Sequence, residues 1–195
     1  MLALLEPTSP AWVDAVAADL SGLLSDHAHC ELKAAQSALS LVGRYGGEAP
    51  ALIEPLTQLA REETQHFTET QRRLAARGGR LSPPRRDEYV VALRAAAAAD
   101  RHQDRPALLD RLLCAAMIEG RSCERFKLLS ERLPDSTLRT FYAALMAAEA
   151  QHFTLFSQLA AECFGAEQSR ARLRTLAERE AEIAHTLPLG PTVHG

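Results

Sequence analysis

Residues 63–68 read Glu-Thr-Gln-His-Phe-Thr, and residues 149–154 read Glu-Ala-Gln-His-Phe-Thr. The two stretches agree at five of six positions and begin 86 residues apart. Each contains a Glu followed three residues later by a His, a spacing that places both side chains on one face of an α-helix. The repeat therefore predicts two equivalent helices, each of which directs a carboxylate and an imidazole to the same side.

Both motifs interrupt an apolar stripe that has the period of a helix. The first stripe consists of Leu52, Leu56, Leu59, Glu63, His66 and Leu74. The second consists of Leu138, Tyr142, Leu145, Glu149, His152, Phe156 and Leu159. Because polar residues stand where the pattern requires apolar ones, we expect a polar site inside a helical protein. A third pair with the same spacing, Glu182 and His185, lacks these surroundings, and we interpret it as a surface pair.

The turn signals around the stripes predict an all-α fold. The expected helices span about residues 10–20, 21–45, 50–77, 85–100, 106–133, 135–164 and 167–186, with Ser9 as the N-cap of the first and Asp135 or Ser136 as that of the sixth. Short turns join the four long helices in antiparallel pairs, and residues 78–105 form a longer connection between the pairs. We therefore expect a four-helix bundle with a long crossover and additional short N-terminal, connecting and C-terminal helices. It would form a single domain over residues 1–195, with tails at about 1–9 and 187–195.

The composition agrees with a helical protein and argues against several other classes. Ala and Leu account for 35 and 30 of the 195 residues, whereas only 5% are aromatic, which disfavours an all-β fold. A net charge of −3 is not that of a globally basic nucleic-acid binder. The four cysteines form no Cys-x-x-Cys pair, so neither a zinc ribbon nor a disulfide scaffold is expected. No basic leader and no apolar run of about 20 residues is present, so we expect a cytoplasmic protein without a membrane partner.

A site for two metal ions in a helical bundle requires one further glutamate from each of the other two long helices. Glu31 lies as far before the first short turn as Glu63 lies after it. Glu119 bears the same relation to Glu149 about the second short turn. The rival acid, Glu124, would lie on a different face of its helix, so we choose Glu119.

Six residues are therefore candidate metal ligands. They are Glu31, Glu63 and His66 for one ion and Glu119, Glu149 and His152 for the other, with Glu63 and Glu149 expected to bridge the ions. Burying several carboxylates together costs several kcal/mol for each ion, and divalent cations would remove that cost. Oxygen-rich ligands with one imidazole per ion favour iron or manganese over structural zinc. The alternatives are two buried polar clusters without metal, or a chance pattern that faces solvent.

Similarity to a known family is carried by four stretches, at residues 26–35, 59–67, 118–126 and 149–153. They resemble the MiaE family of tRNA 2-methylthio-isopentenyl-adenosine hydroxylases, within the ferritin-like di-iron carboxylate superfamily. The run Glu-Gly-Arg-Ser-Cys-Glu-Arg-Phe at residues 119–126 is the most specific part. The resemblance implies a non-haem di-iron monooxygenase that uses O₂ as co-substrate to hydroxylate the isopentenyl group of a modified adenosine in tRNA. It also implies two iron ions and an external electron donor of the ferredoxin or reductase type.

A tRNA substrate requires a basic surface, and residues 72–86 contain six arginines and no acidic residue. The six are Arg72, Arg73, Arg77, Arg80, Arg85 and Arg86. With the resemblance, we interpret them as tRNA-binding residues. From the residues alone, a solvated helix end explains them equally well.

Several alternatives remain open at this level. The same fold would also suit a ferroxidase or iron-storage protein, a di-metal peroxidase or catalase, or a non-enzymatic helical interaction module. His27 lies one turn before Glu31 and would either position that carboxylate or make an unrelated polar contact. Tyr142 is expected to be a core aromatic residue, and Cys30 and Cys123 are expected to be buried, inert thiols and not ligands. The sequence does not define an oligomeric state.

Overall fold

The structure, a computed structural model, describes residues 2–100 and 106–194. Within these residues every regular element is helical, which confirms the predicted all-α class. The elements are α1 (Ala11–Ala18), α2 (Leu20–Tyr45), a 3-10 turn (Pro50–Leu52), α3 (Ile53–Ala76), α4 (Glu88–Ala99), α5 (Ala107–Arg132), α6 (Ser136–Phe164) and α7 (Ala166–Thr186). The expected connection at 78–105 and both expected tails lie partly outside the described residues. No described helix is both long enough and apolar enough to span a bilayer.

Side-chain caps and glycines set the helix ends. Asp135 is the N-cap of α6, and its carboxylate accepts hydrogen bonds from the backbone N–H groups of Thr137 and Leu138. Pro50 begins a 3-10 turn and not the α-helix expected there, so α3 starts three residues later. At the end of α3, Gly78 adopts a φ of +75°, which only glycine tolerates without strain.

The chain forms two compact units. The first comprises the described residues of Met1–Val13, Arg86–Leu189 and His194–Gly195, and the second comprises Asp14–Arg85 and Gly190–Val193. In the second unit α2 packs against α3, and in the first unit α5 packs against α6, with α4 and α7 alongside α5. Because short connections join the partners, each pair is antiparallel. The single domain remains a prediction.

The predicted apolar stripes form the cores of these helix pairs. On α3 the stripe residues Leu56, Leu59 and Leu74 are buried, as are Ala28 and Ala35 of α2, the helix that packs against α3 in the same unit. On α6 the stripe residues are all buried: Leu138, Tyr142, Leu145, Glu149, His152, Phe156 and Leu159. Each buried leucine stabilises the fold by about 1.5–3 kcal/mol relative to an exposed one. The polar residues of each stripe are thus held on well-packed helices.

Candidate metal centre

In the second unit, the structure brings Glu31, Glu63 and His66 together. Both glutamates are buried, and the side chain of His66 is 17% exposed. The Nδ1 atom of His66 lies 3.3 Å from Oε2 of Glu63 and 3.7 Å from Oε2 of Glu31. One donor atom from each residue lies within 4.8 Å of the others. The spacing of three residues on α3 and the symmetric position on α2 therefore produce the cluster that the sequence predicts.

In the first unit, Glu119, Glu149 and His152 form the corresponding cluster. All three are buried, with Nδ1 of His152 3.6 Å from Oε2 of Glu149. Their donor atoms again lie within 4.8 Å of one another. Among the described residues, Oε2 of Glu149 is buried and accepts no hydrogen bond. A buried carboxylate oxygen in that state is costly unless a cation compensates it.

The rival acid Glu124 occupies a different position. Its Oε1 accepts a hydrogen bond from the backbone N–H of Thr8 at 2.7 Å, and its Oε2 accepts one from the Thr8 hydroxyl at 2.6 Å. The guanidinium of Arg121 lies 2.8 Å from the same Oε2. Glu124 therefore fixes the N-terminal segment to α5, whereas Glu119 lies beside Glu149.

His27 contacts the carboxylate of Glu31. Its Nε2 donates a hydrogen bond to Oε1 of Glu31 at 2.5 Å, and the imidazole is fully buried. His27 therefore contacts a candidate ligand, which agrees with the first of the two roles that the sequence allows. A hydrogen bond of this kind fixes the orientation of a carboxylate and makes it a better-defined metal ligand.

Cys123 and Tyr142 are buried, as the sequence predicts, whereas the prediction of a buried thiol is wrong for Cys30, which is half-buried. Cys123 is buried and donates to the backbone oxygen of Met146 at 3.3 Å. Burial raises the pKa of the Cys123 thiol to about 11, so it stays protonated near neutral pH. Cys30 lies 3.9 Å from Oδ2 of Asp26. The Tyr142 ring packs in the core, with its centroid 5.2 Å from that of Phe126.

The donor chemistry of each cluster fits a divalent metal ion. Two carboxylates and one imidazole converge in each unit, a set that suits iron or manganese. Glu182 and His185, by contrast, are exposed on α7, and Glu182 pairs with Arg179, which agrees with the interpretation as a surface pair.

The six arginines of residues 72–86 have different surroundings. Arg73 and Arg77 are half-buried and donate hydrogen bonds to backbone oxygens of α3, those of Glu69 and Arg73. Arg72, Arg80, Arg85 and Arg86 are exposed. Arg86 belongs to the first unit, where its Nε lies 3.4 Å from a carboxylate oxygen of Glu88. The run of charge in the sequence is therefore not one uniform cluster.

A buried network around Arg121 was not predicted. Its Nε donates to Oε1 of Glu180 at 2.8 Å, its Nη1 to the Thr8 hydroxyl at 3.0 Å and its Nη2 to the backbone oxygen of Glu6 at 2.9 Å. The hydroxyl of Tyr89 also donates to Glu180. Burial opposes the charge on Arg121, but Glu180, Tyr89 and Glu124 together outweigh burial and raise the pKa of Arg121. The available sequence signal was that Arg121 lies one helical turn after Met117, where an apolar stripe would continue.

Comparison with known proteins identifies close relatives. A family described as tRNA-(MS2IO6A)-hydroxylase (MiaE) matches residues 2–195. A Pseudomonas putida protein named tRNA 2-(methylsulfanyl)-N(6)-isopentenyladenosine(37) hydroxylase is 40% identical over 177 residues, which cover 91% of this chain and 83% of the relative. A Salmonella typhimurium protein of the same name is 31% identical, covering 91% of this chain and 82% of the relative.

One solved structure also resembles this chain. It is described as protein 43 with aldehyde deformylating oxygenase activity from Synechococcus, and the two share 38% identity with a TM-score of 0.88. The match covers 98% of this chain and 95% of the other. The all-α, ferritin-like fold expected from the sequence is therefore confirmed.

Proposed function

The chain belongs to the tRNA-(MS2IO6A)-hydroxylase (MiaE) family, and from that premise we propose that it hydroxylates the isopentenyl group of 2-methylthio-isopentenyl-adenosine in tRNA with O₂. The observation that carries this proposal is the family match over residues 2–195, together with a carboxylate–histidine cluster in each unit. Both curated relatives bear the name of a hydroxylase of this nucleoside.

Each cluster would hold one iron ion, which gives two iron ions per chain. The ligands would be Glu31, Glu63 and His66 for one ion and Glu119, Glu149 and His152 for the other. Their burial, the mixture of carboxylate and imidazole donors and the orphaned oxygen of Glu149 support this assignment. When bound, two iron ions supply the redox chemistry that activates O₂.

The electron balance of the proposed hydroxylation requires an external electron donor. One oxygen atom of O₂ is inserted into a C–H bond of the isopentenyl group, and the other leaves as water. This stoichiometry consumes two electrons and two protons from outside the substrate. An external electron donor of the ferredoxin or reductase type would deliver the electrons.

The protein itself would position the ligands and exclude water. The hydrogen bond from His27 holds Glu31 in one orientation. In each unit the candidate ligands emerge from apolar stripes whose leucines and aromatic residues are buried. Exclusion of water by such a lining protects a strong oxidant from side reactions before it meets the substrate.

Mass spectrometry of nucleosides tests the proposed reaction. tRNA that carries the isopentenylated nucleoside would be incubated with the iron-loaded protein, a reductant and O₂. We expect a gain of about 16 Da on that nucleoside, lost in Glu63→Ala because a ligand would be removed. Glu54→Ala is the matched control, since Glu54 is exposed in the first turn of the same helix. No mass gain in a protein that holds its iron would contradict the proposal.

Metal analysis tests the site separately from the reaction. After anaerobic loading we expect about two iron ions per chain, because each cluster offers one donor set. Iron that accumulates well beyond two per chain would instead favour iron storage. Binding of fewer than two ions would count against the assignment of one iron ion to each cluster.

A second candidate function is the removal of the formyl group from an aldehyde. It is favoured by the 38% identity to the Synechococcus protein, whose description names aldehyde deformylating oxygenase activity. The same iron-loaded protein, offered an aliphatic aldehyde in place of tRNA, distinguishes the two. Release of formate without any change in the tRNA nucleoside would replace the first proposal with the second.

A further inference from the structure

The segment that follows α3, residues 78–85, is tied to one face of α2 by three hydrogen bonds. The hydroxyl of Ser25 accepts a hydrogen bond from the backbone N–H of Ser82 at 2.9 Å. Nε2 of His29 donates to the backbone oxygen of Ser82 at 2.7 Å. Nζ of Lys33 donates to the backbone oxygen of Arg85 at 2.9 Å. Because the three α2 residues are four positions apart, they form one row that holds the backbone of the segment.

The segment also has little conformational freedom of its own. The backbone N–H of Gly79 donates to the oxygen of Leu74 at 3.0 Å, which closes the end of α3. A Cβ atom at Gly79 would overlap Cδ1 of Leu74, so any other residue there would require the Leu74 side chain to shift. Pro83 and Pro84 restrict φ at two further positions. The chain is therefore held in one path between its two ends.

The ordered segment displays two cations. The side chains of Arg80 and Arg85 are exposed, and Arg72 is exposed on the last part of α3. Arg73 and Arg77 differ from them because their guanidinium groups donate to backbone oxygens of α3. No acidic residue occurs between positions 72 and 86 of the sequence. Asp26 of α2 lines the same small pocket as Ser82 and Arg85, and its Oδ2 accepts a hydrogen bond from the backbone N–H of Val193. Of the arginines predicted to bind tRNA, Arg72, Arg80 and Arg85 are the ones available in the second unit.

We propose that residues 78–85 form a preordered binding surface for RNA phosphates, in which Arg80 and Arg85 contact phosphates and Ser25, His29 and Lys33 are positioning residues. This proposal rests on the proposed function, because it takes tRNA as the substrate. Arginines on an ordered segment lose less conformational entropy when they bind phosphates than arginines on a mobile one. The hydrogen bonds to α2 would therefore increase affinity without touching the RNA.

Direct RNA binding tests the two phosphate contacts. Fluorescence anisotropy would follow binding of a labelled anticodon stem-loop that carries the isopentenylated nucleoside, at about 50–200 mM salt. Arg80→Gln/Arg85→Gln should weaken binding about tenfold or more and reduce the slope of log affinity against log salt by about 1 to 2, since two phosphate contacts are lost. Arg44→Gln/Arg132→Gln changes the net charge equally at exposed positions elsewhere, and should leave the slope unchanged.

The positioning residues require a different readout. Ser25→Ala and His29→Ala should each weaken binding about threefold to tenfold while the salt slope is retained, because no phosphate contact is removed. His29→Gln keeps an N–H donor for the Ser82 oxygen and should restore most of the affinity. Ser40→Ala and His185→Ala remove the same groups from exposed positions and serve as controls.

The outcomes separate this proposal from the proposed function. If the wild-type protein hydroxylates the tRNA nucleoside but the arginine pair and the positioning variants all bind RNA as tightly as the controls, the binding surface is refuted and the hydroxylase stands. If the wild-type protein binds RNA as described and hydroxylates nothing, the proposed function fails alone. Should His29→Ala unfold, the exposed arginine pair still decides the result.

Discussion

Replacement of Arg121 by methionine should destabilise the protein strongly. Both Arg121 and Glu180 are 0% exposed, and their closest ion-pair distance is 2.7 Å. In Arg121→Met the Glu180 carboxylate would stay buried without its cation, which costs about 3–5 kcal/mol. With about 2–4 °C of melting temperature per kcal/mol for a chain of this size, the melting temperature should fall by about 6–20 °C. Thermal unfolding followed by far-ultraviolet circular dichroism measures the change.

A second substitution distinguishes loss of the ion pair from loss of packing. In Arg121→Met/Glu180→Gln neither member of the pair is charged, and the glutamine oxygen still accepts from Tyr89, so much of the lost stability should return. Arg179→Met is the control, because its side chain is 43% exposed on the same helix as Glu180 and should shift the melting temperature little. A double variant as unstable as the sum of the two single variants would refute the reasoning, since uncoupled residues are additive.

Three further predictions concern the candidate ligands and the thiols. His27→Ala should lower iron affinity about 10- to 100-fold in a chelator competition, because Glu31 loses its hydrogen bond; an unchanged affinity would exclude that role. Glu119→Ala should bind less iron than the wild type, as measured by elemental analysis. Glu124→Ala should retain its iron, but its free energy of unfolding in urea should fall by about 1.5–3 kcal/mol. The reverse pattern would make Glu124 the ligand. Burial raises the pKa of Cys114 to about 12 and that of Cys123 to about 11. Peptide mass spectrometry should therefore find both thiols unmodified by iodoacetamide at pH 8, and modified only when the pH approaches those values or the chain unfolds. Labelling of native Cys123 at pH 8 would contradict this.

The candidate ligands were predictable because their signals are local. Glu63 and His66 are three residues apart on one helix, and the apolar period on either side shows which face is buried. Glu31 followed from Glu63 because an antiparallel pair is symmetric about its short turn. Neither step needs knowledge of a contact between distant parts of the chain.

The Arg121 network depends on distant contacts and could not be predicted in the same way. Glu180 is 59 positions and Thr8 113 positions from Arg121, and no periodicity connects them. The six arginines show a related limit. The sequence does not distinguish Arg77 from Arg80 by charge or spacing, but in the structure Arg77 donates to the backbone of α3 and Arg80 is exposed. Which cations remain available for a partner is decided by local hydrogen bonds that the sequence does not specify.

The run at residues 119–126 is the most specific part of the family resemblance, but most of its residues do not belong to a candidate metal cluster. Only Glu119 contributes to a candidate metal cluster. Arg121 and Glu124 bind the N-terminal segment, Ser122 contacts His194 at 3.1 Å, and the Arg125 guanidinium lies 4.9 Å from the Trp12 ring centroid. A chain that kept residues 120–126 but replaced Glu119 would thus retain the contacts that fold α5 against the termini and lose a candidate ligand. The run therefore predicts how this unit folds, whereas the proposed chemistry depends on Glu119 and the residues clustered with it.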